Sequence, residues 1–292
     1  MDIDFKTFND PKDLTFNQLL GINNEGQIAG YFGSGQTVNG VFHPNKGYTL
    51  NPTGNGVFTD ENFPNSVQTQ VTGINNHAST VGFWVDGNNN SFGFTDINGK
   101  LTSVVDPLGS GQAAGGATVE QVLGMNDKDK AVGFWTDANG NDHGFTYDVG
   151  SKQFSEVDIR GFASTTVSAI NNEGVVAGFV SNDGNQTFDG FIKQGNNIEL
   201  LTGPKGATSL QVLGINNEDQ VVGSYTNATG MHGFLFDEKS QQYTTIDAPK
   251  GQKGPTSMTV LNGINDKGQA VGFFLDTAGN TEGLLVSIGH HS

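Results

Sequence analysis

The stretch Gly21-Ile22-Asn23-Asn24-Glu25-Gly26-Gln27-Ile28-Ala29-Gly30-Tyr31 recurs with few changes, giving six copies along the chain. Each copy reads Gly-Ile-Asn-Asn or a close variant, four variable residues, Val-Gly or Ala-Gly, and then usually an aromatic residue. The copies begin at Gly21, Gly73, Gly124, Ala169, Gly214 and Gly263. Successive starts are 52, 51, 45, 45 and 49 residues apart. Such spacing is about the length of one blade of a β-propeller.

A second phrase, in which a Gly precedes Phe or another apolar residue, follows each copy at a similar distance. Its six occurrences are Asn39-Gly40-Val41, Phe92-Gly93-Phe94, His143-Gly144-Phe145, Asp189-Gly190-Phe191, His232-Gly233-Phe234 and Glu282-Gly283-Leu284. The two phrases together mark equivalent strands in every repeat.

Each repeat has the pattern of four short strands, which we name A to D. In the fifth repeat they cover residues 211–215, 220–225, 232–236 and 243–247. Runs of Val, Ile, Phe and Thr separated by Asn, Gly and Asp are typical of an antiparallel meander. No segment keeps a helical period, so we expect almost no helix.

One four-stranded sheet cannot bury two apolar faces, but six sheets stacked radially can. The sequence therefore predicts an all-β, six-bladed β-propeller of four-stranded antiparallel blades, one domain over residues 1–292. The glycine near the end of each copy, as at Gly30, is expected to let neighbouring blades approach closely. The last repeat stops after strand C, and residues 4–11 match strand D elsewhere. The N-terminal strand is therefore expected to complete the last blade.

Composition narrows the function. The chain has 30 Asp and Glu against 14 Lys and Arg, a formal net charge of −16, and no Cys. The negative charge disfavours nucleic acid as a partner, because its binding requires cations that neutralise phosphates. No stretch is apolar enough for membrane insertion. We expect a monomer that binds a small molecule or a carbohydrate.

The alternation of Gly-Ile-Asn-Asn or Asp, Val or Ala-Gly-aromatic, and His or Asp-Gly-Phe resembles the HAF repeat family of extracellular bacterial proteins. The resemblance covers Leu20 to Val286 and the N-terminal strand. It departs from the family where Gly separates His from Phe, and only His143 and His232 keep the His. It implies a propeller and a secreted, extracellular location, although the sequence shows no signal peptide. It implies no functional residue.

The strand order places the D-to-A connections and the B-to-C loops on one face, and the Asn-Asn turns on the other. The longest D-to-A connection is predicted between Asn51 and Gln70, and it carries Phe63 as a candidate lid residue. The innermost strands bring Gln18, Gln70, Gln121 and Gln211 to equivalent positions near that face. A buried Gln needs partners, which could be a ligand, channel water or neighbouring backbone.

Two further sets of side chains are predicted near the same face. Strand B ends in residues that are either inter-blade core or a stacking platform for a ligand: Phe32, Trp84, Trp135 and Tyr225. Strand C begins with polar residues that either face a common mouth or lie exposed in hairpins: Asn39, His143, Asp189, His232 and Glu282. His143 and His232 are the candidate proton carriers for catalysis.

Signals for metals and cofactors are weak. Residues 137–142 have the spacing of a calcium loop but lack the downstream bidentate Glu. We therefore predict no metal site and no cofactor. Glu120 is the one acid of the innermost strands, which argues against a paired-carboxylate glycosidase.

Three functions remain open at this stage. The first is binding of a sugar or an apolar small molecule at the channel mouth, on the face formed by the D-to-A and B-to-C loops. The second is a cofactor-independent lyase, isomerase or cyclase that uses the same pocket. The third is a structural or adhesive surface module.

Overall fold

The computed structural model describes residues 2–109, 111, 113, 116–249 and 257–289. It has no helix in this part of the chain, as predicted, and therefore none that could cross a membrane. The strands are β1 (Asp2–Thr7), β2 (Asn17–Ile22), β3 (Ile28–Phe32), β4 (Thr37–Val38), β5 (Val41–Phe42), β6 (Lys46–Asn51), β7 (Val57–Asp60), β8 (Gln68–Ile74), β9 (Thr80–Val85), β10 (Ser91–Ile97), β11 (Lys100–Val104), β12 (Glu120–Met125), β13 (Lys130–Thr136), β14 (Asp142–Asp148), β15 (Gln153–Glu156), β16 (Ser164–Ile170), β17 (Val176–Ser181), β18 (Asp189–Gln194), β19 (Asn197–Leu201), β20 (Ser209–Ile215), β21 (Gln220–Asn227), β22 (Gly230–Asp237), β23 (Gln242–Ile246), β24 (Ser257–Ile264), β25 (Gln269–Leu275) and β26 (Thr281–Gly289).

Antiparallel pairing groups all of these strands except β4 and β5 into four-stranded units. We number them sheet 1 (β2, β3, β6, β7), sheet 2 (β8 to β11), sheet 3 (β12 to β15), sheet 4 (β16 to β19), sheet 5 (β20 to β23) and sheet 6 (β24, β25, β26, β1). In sheet 6 the N-terminal strand β1 lies antiparallel to β26, with Asp2 opposite Gly289 and Thr7 opposite Leu284. A short parallel contact between β22 and β24 joins sheets 5 and 6.

The core lies between the sheets. Strand A of every sheet contributes one aliphatic side chain with no exposed surface: Leu19, Val71, Val122, Val167, Val212 and Leu261. Strand C contributes a large side chain that is at most 1% exposed: Tyr48, Phe94, Phe145, Phe191, Phe234 and Leu284. The buried clusters each join two consecutive sheets, and one of them packs Leu19 of sheet 1 against Leu285 of sheet 6. Radial packing of this kind buries both faces of each sheet.

The strand alignment predicted for the first repeat was wrong. Strand C of sheet 1 contains Lys46-Gly47-Tyr48, because Gly47 pairs with Tyr31 in the register that Gly93 and Phe83 have in sheet 2. Asn39 lies instead at the tip of the inserted hairpin formed by β4 and β5, in the left-handed conformation. The insertion contains a chance copy of the Gly-apolar phrase, and this copy misled the alignment.

The predicted lid between Asn51 and Gln70 is consequently not one long connection. Strand β7 occupies part of it and pairs with β6, which leaves only residues 61–67 between sheets 1 and 2. Phe63 lies in this short connection and stacks face to face on Trp84, with ring centroids 4.5 Å apart and planes 4° apart. Phe63 thus packs between sheets 1 and 2.

The glycine near the end of each copy makes a different contact from the one predicted. A Cβ at Gly133 would lie 1.9 Å from Gln121 O and 3.0 Å from the Phe145 ring, both in its own sheet. The glycine of the second phrase makes the contact between sheets. A Cβ at Gly144 would lie 2.7 Å from Val167 Cγ2 of the next sheet. The first glycine therefore gives room to the strand C aromatic, and the second lets neighbouring sheets touch.

Candidate functional site

A cavity of about 380 Å³, which we call the channel cavity, opens along the axis surrounded by the innermost strands. One side chain from each sheet forms its floor: Leu20, Thr72, Leu123, Ser168, Leu213 and Asn262. Gln70, Gln121 and Phe83 complete its lining. Pockets for small ligands usually start at about 300 Å³, so this volume suits one small molecule.

The floor alternates leucine with a smaller polar residue around the axis. Thr72 Oγ1 donates to Val122 O at 2.8 Å, and Ser168 Oγ donates to Val212 O at 2.7 Å. Asn262 Nδ2 donates to Leu19 O at 2.9 Å. These three donors hold the next sheet, so the floor offers a ligand mainly apolar surface. Sequence reasoning missed this ring, although its alternation is readable in the residue before each repeat start.

Below the floor the channel narrows at the first residue of each repeat. A Cβ added to Gly21 would lie 2.9 Å from Gly73 Cα, and one added to Gly214 would lie 2.9 Å from Gly263 Cα. Backbones of neighbouring sheets therefore touch where the phrase begins. This contact explains why the position is almost always glycine.

The first Asn of each phrase closes a cycle of hydrogen bonds around the axis. Its Nδ2 donates to the backbone oxygen of the equivalent residue in the next sheet, at 2.9 to 3.3 Å. The members are Asn23, Asn75, Asn126, Asn171, Asn216 and Asn265, and the last donates to the first. In each, Oδ1 also accepts two backbone N–H groups of its own turn. The Asn-Asn turns are thus scaffold, in agreement with the prediction.

A second cycle uses the next residue of each phrase. The backbone N–H of each member donates to Oδ1 of its neighbour at 2.7 to 2.9 Å, around Asn24, Asn76, Asp127, Asn172, Asn217 and Asp266. The two aspartates lie three sheets apart. Asp127 Oδ2 accepts from Asn76 and Asn172, and Asp266 Oδ2 accepts from Asn24 and Asn217. The residues of both cycles line the channel at the end opposite the cavity.

The four predicted glutamines have equivalent positions but different surroundings. Gln70 and Gln121 line the channel cavity, whereas its lining does not include Gln18 or Gln211. Gln70 Nε2 donates to Asn45 Oδ1 at 3.0 Å, so a side chain at the base of the inserted hairpin is one of its partners. The cavity is therefore asymmetric, because the two glutamines that line it lie on sheets 2 and 3.

The aromatic residues at the ends of strand B pack within the protein. Trp84 stacks on Phe63 and packs on Phe92, and Trp135 stacks on His143 at 4.4 Å between ring centroids. The remaining two behave similarly. Phe32 packs against the core cluster of sheet 1, and Tyr225 is buried, with its hydroxyl 2.9 Å from Thr245 Oγ1. The contacts support the inter-blade core interpretation rather than a shared stacking platform.

The two histidines do not line the channel cavity. His143 Nδ1 lies 2.7 Å from Asp158 Oδ2, and His232 Nδ1 lies 2.8 Å from Asp247 Oδ2. Each pair forms within one sheet, between a histidine near the start of strand C and an aspartate one or two residues after strand D. Burial lowers the pKa of His143, but hydrogen bonds and charges from Asp158 and Asp137 outweigh it and raise the pKa. The expectation of histidines at one common mouth is therefore not supported.

Glu282 and Asp189 begin strand C like the histidines. Glu282 accepts a hydrogen bond from Nδ2 of Asn9, which lies two residues after the end of β1. Asp189 instead lines a separate cavity of about 190 Å³ with Phe162 and Thr208. Neither residue lines the channel cavity.

The calcium-like spacing at residues 137–142 is a hairpin turn. Asp137 Oδ1 accepts the backbone N–H groups of Asn139 and Asn141, both at 2.8 Å. Asp276 makes the same two bonds in sheet 6. These hydrogen bonds lower the pKa of Asp137 to about 2 despite the opposing effect of its partial burial. The spacing thus reflects a repeated turn.

Glu120 is a buried carboxyl group whose importance the sequence did not reveal. It has no exposed surface, and Oε2 accepts the backbone N–H of Asp106 at 2.7 Å. Asn17, Thr69, Thr165 and Thr259 make the equivalent bond to the D-to-A connection of the preceding sheet. Glu120 is therefore an ionisable variant of a repeated structural contact, and burial raises its pKa to about 8.

This burial predicts a dependence of stability on pH. The folded pKa of about 8 exceeds the ordinary value of 4.5, so the folded state binds the extra proton. The contribution of Glu120 to the free energy of unfolding is fully present below about pH 4.5 and is lost as pH rises towards 8. We expect Glu120→Gln to raise the free energy of unfolding at pH 8 by roughly 2–5 kcal/mol and to change it little at pH 5.

The measurement is urea unfolding at both pH values. Glu25→Gln, at an exposed turn, is the control and should not alter the pH dependence. Burial also raises the pKa of Glu61, to about 7, so part of the dependence should survive. Equal destabilisation by Glu120→Gln at pH 5 and pH 8 would contradict the assignment.

Comparison with known proteins identifies the fold class. No protein-family model and no curated protein sequence matches the chain. Among solved structures, YjhT has a TM-score of 0.56 at 12% identity, with 97% of each chain covered. A mutant of the Aleuria aurantia lectin AAL in complex with Fucalpha1-6GlcNAc has a TM-score of 0.53 at 12% identity, with 94% of each covered. The β-propeller domain of the Trilobed protease from Pyrococcus furiosus has a TM-score of 0.51 at 10% identity, with 96% of each covered. The chain is an all-β protein with a propeller fold.

Proposed function

We propose that the protein binds one small carbohydrate, or a molecule of similar polarity, in the channel cavity. The observation that carries the proposal is the cavity itself, which combines an apolar floor with two amides at its side. Leu20, Leu123 and Leu213 offer an apolar surface, and Phe83 offers an aromatic ring. Gln70 and Gln121 can donate to and accept from hydroxyl groups. A sugar ring has one apolar face and a polar edge, which suits this division.

A second element of the proposal is the ring itself. We infer six blades, with β1 as the outer strand of the last blade. Pairing of β1 with β26 supports this inference, as do the hydrogen bonds from Asn265 to Asn23 and from Asn262 to Leu19. A closed ring would hold the cavity walls at fixed distances, so little entropy would be lost on binding.

The contacts favour binding over catalysis. His143 and His232 were the proton carriers of the enzyme hypothesis, but they pair with aspartates of their own sheets. The cavity lining contains amides, hydroxyl groups and apolar side chains, and none of these is a general base near neutral pH. The similarity to a lectin adds support only at the level of a propeller that can carry a sugar site. The HAF resemblance, the extracellular location and the monomeric state stay predictions.

Binding should depend on Gln121 more than on its equivalent in sheet 5. We expect Gln121→Ala to lower the affinity for the ligand by about 10-fold or more, because the loss of a hydrogen bond in a desolvated site costs about 1.4 kcal/mol. Gln211→Ala is the matched control, since Gln211 occupies the same strand position but does not line the cavity. The affinity of the Gln211→Ala variant for the ligand should stay within about 3-fold of the affinity of the unsubstituted protein.

The experiment begins with thermal unfolding against mono- and disaccharides and a set of apolar natural products, followed by calorimetric titration of each hit. A sugar at 100 times its Kd should add about 2.7 kcal/mol of stability. If an apolar compound binds and its binding depends on Leu123 but not on Gln121, the ligand of the cavity is an apolar molecule and not a carbohydrate. Stabilisation by no compound, or equal losses from Gln121→Ala and Gln211→Ala, would contradict binding in this cavity and favour a surface module.

A further inference from the structure

We propose that His143, Glu156 and Asp158 form a binding site for a divalent transition metal ion such as Zn²⁺. One ligand atom from each residue lies within 4.8 Å of the other two, so small side-chain movements would let a single ion contact all three. The site lies on sheet 3, and its residues are not among those that line the channel cavity. The inference is therefore independent of the proposed sugar site.

The fold fixes the positions of the three side chains. His143 lies opposite Trp135 in the register of β13 and β14, and the two rings stack. Asp158 follows β15, and its Oδ1 accepts the backbone N–H of Gly144 at 3.1 Å. Glu156 ends β15, two residues before Asp158, a spacing that places strand side chains on the same face. Glu156 and Asp158 are exposed, so an ion can reach them from solvent.

In sheet 5 the equivalent histidine, His232, has a purely structural role. His232 pairs with Asp247 as His143 pairs with Asp158. The position of Glu156 holds Thr245 in sheet 5, because these residues pair with Phe145 and Phe234 respectively.

The groups around the second ring nitrogen, Nε2, also differ between the two histidines. His232 Nε2 lies 2.8 Å from Thr229 Oγ1 and 3.2 Å from Asn227 Oδ1, which are neutral groups. His143 Nε2 lies 3.5 Å from the carboxylate of Asp137. The structural pair in sheet 5 therefore needs no second carboxylate, yet sheet 3 places two extra ones around its imidazole.

Charge and ligand type indicate the class of ion. Three carboxyl groups, those of Asp137, Glu156 and Asp158, surround one imidazole, so the cluster has an excess of acidic ligands. A divalent cation would neutralise this excess. Calcium and magnesium prefer oxygen ligands alone, whereas an imidazole with carboxylates suits Zn²⁺ and its neighbours. Three protein ligands would leave a coordination position for water.

The sheet 5 sequence supplies the matched variant. Asp137→Asn together with Glu156→Thr gives sheet 3 the neutral surroundings of His232 and keeps the pair of His143 with Asp158. All proteins carry His290→Ala and His291→Ala, which removes the terminal imidazoles as competing ligands. Zn²⁺ is titrated by calorimetry at about pH 7, and Co²⁺ absorption reports nitrogen and oxygen ligation. Thermal unfolding without metal verifies that the variants are folded.

We expect one Zn²⁺ per chain, at least about 10-fold weaker binding in the double variant, and a similar loss in His143→Gln. The reverse change in sheet 5, Asn227→Asp with Thr245→Glu, should create a second site of comparable affinity. Absence of Zn²⁺ binding by the original protein would overturn the proposal. So would a Zn²⁺ affinity that the double variant leaves unchanged, since the ion would then be bound elsewhere.

Discussion

Asn171→Ala is expected to lower the free energy of unfolding by roughly 3–5 kcal/mol, although the side chain is small and lies far from the cavity. Asn171 is 3% exposed, and its Oδ1 accepts the N–H groups of Glu173 and Val175 at 3.0 Å. Its Nδ2 donates to Asn216 O in the next sheet. Alanine removes all three hydrogen bonds, and the partners in Val175 and Asn216 belong to buried residues. Each buried unpaired group costs about 1–3 kcal/mol.

The variant Asn171→Asp distinguishes the contribution of the turn to stability from that of the hydrogen bond between sheets. Aspartate keeps an oxygen for the two N–H groups but replaces the donor that faces Asn216 O by a second acceptor. We expect a loss at least as large as that of alanine. Asp127 is tolerated in the neighbouring cycle because its second oxygen meets amide donors of Asn76 and Asn172.

Urea unfolding followed by tryptophan fluorescence measures both variants. Asn139→Ala, at an exposed turn with a weak side-chain contact, is the control and should change stability by less than about 0.5 kcal/mol. If Asn171→Ala unfolds at the same urea concentration as the control, the hydrogen-bonded cycle does not stabilise the ring.

Deletion of residues 1–11 is expected to remove roughly 5–8 kcal/mol, which is comparable to the whole stability of many domains. Phe8 is 5% exposed, and burial of a phenylalanine side chain contributes about 2–3 kcal/mol. Ile3 and Phe5 pack against the cluster between sheets 5 and 6. The deletion also leaves β26, a nine-residue strand that contains Leu284, Leu285 and Val286, as an unpaired edge that favours aggregation.

A circular permutant distinguishes the loss of strand pairing from the loss of residues. Asp2 lies opposite Gly289, so residues 2–11 can follow Gly289 through a two-residue Asn-Gly turn and pair with β26 as a hairpin. This protein should recover most of the stability that the deletion loses. Calorimetric melting of the three proteins is the measurement. A truncated chain that melts within a few degrees of the full chain would exclude a role for β1 in closing the ring.

Much of the fold could be predicted from the sequence because its signals are local. Strand alternation and turn residues act over a few positions, and the repeated phrase transfers one assignment to every sheet. The error in the first repeat arose where an insertion, β4 and β5, contained a false copy of the second phrase. A local pattern could not reveal that Gly47, and not Gly40, pairs with Tyr31.

The candidate site was less predictable. Gln70 and Gln121 were identified from their strand positions, and both line the channel cavity. His143 and His232 were assigned to the same face, but a polar residue that begins a strand can bond to solvent, to a ligand or to its own sheet. The choice fell to Asp158 and Asp247, which lie 15 residues further along the chain.

The sequence by itself determined the strand and turn pattern, the repeat and the acidic charge, since these depend on neighbouring residues and composition. The tertiary structure decided which side chains meet around the axis. Asn265 donates a hydrogen bond to Asn23, which is 242 residues away in sequence. Thr72, Ser168 and Asn262 donate hydrogen bonds to backbone oxygens of the next sheet. Such contacts exist only once the sheets are packed around a common axis, because packing brings backbone oxygens of distant repeats within hydrogen-bonding distance.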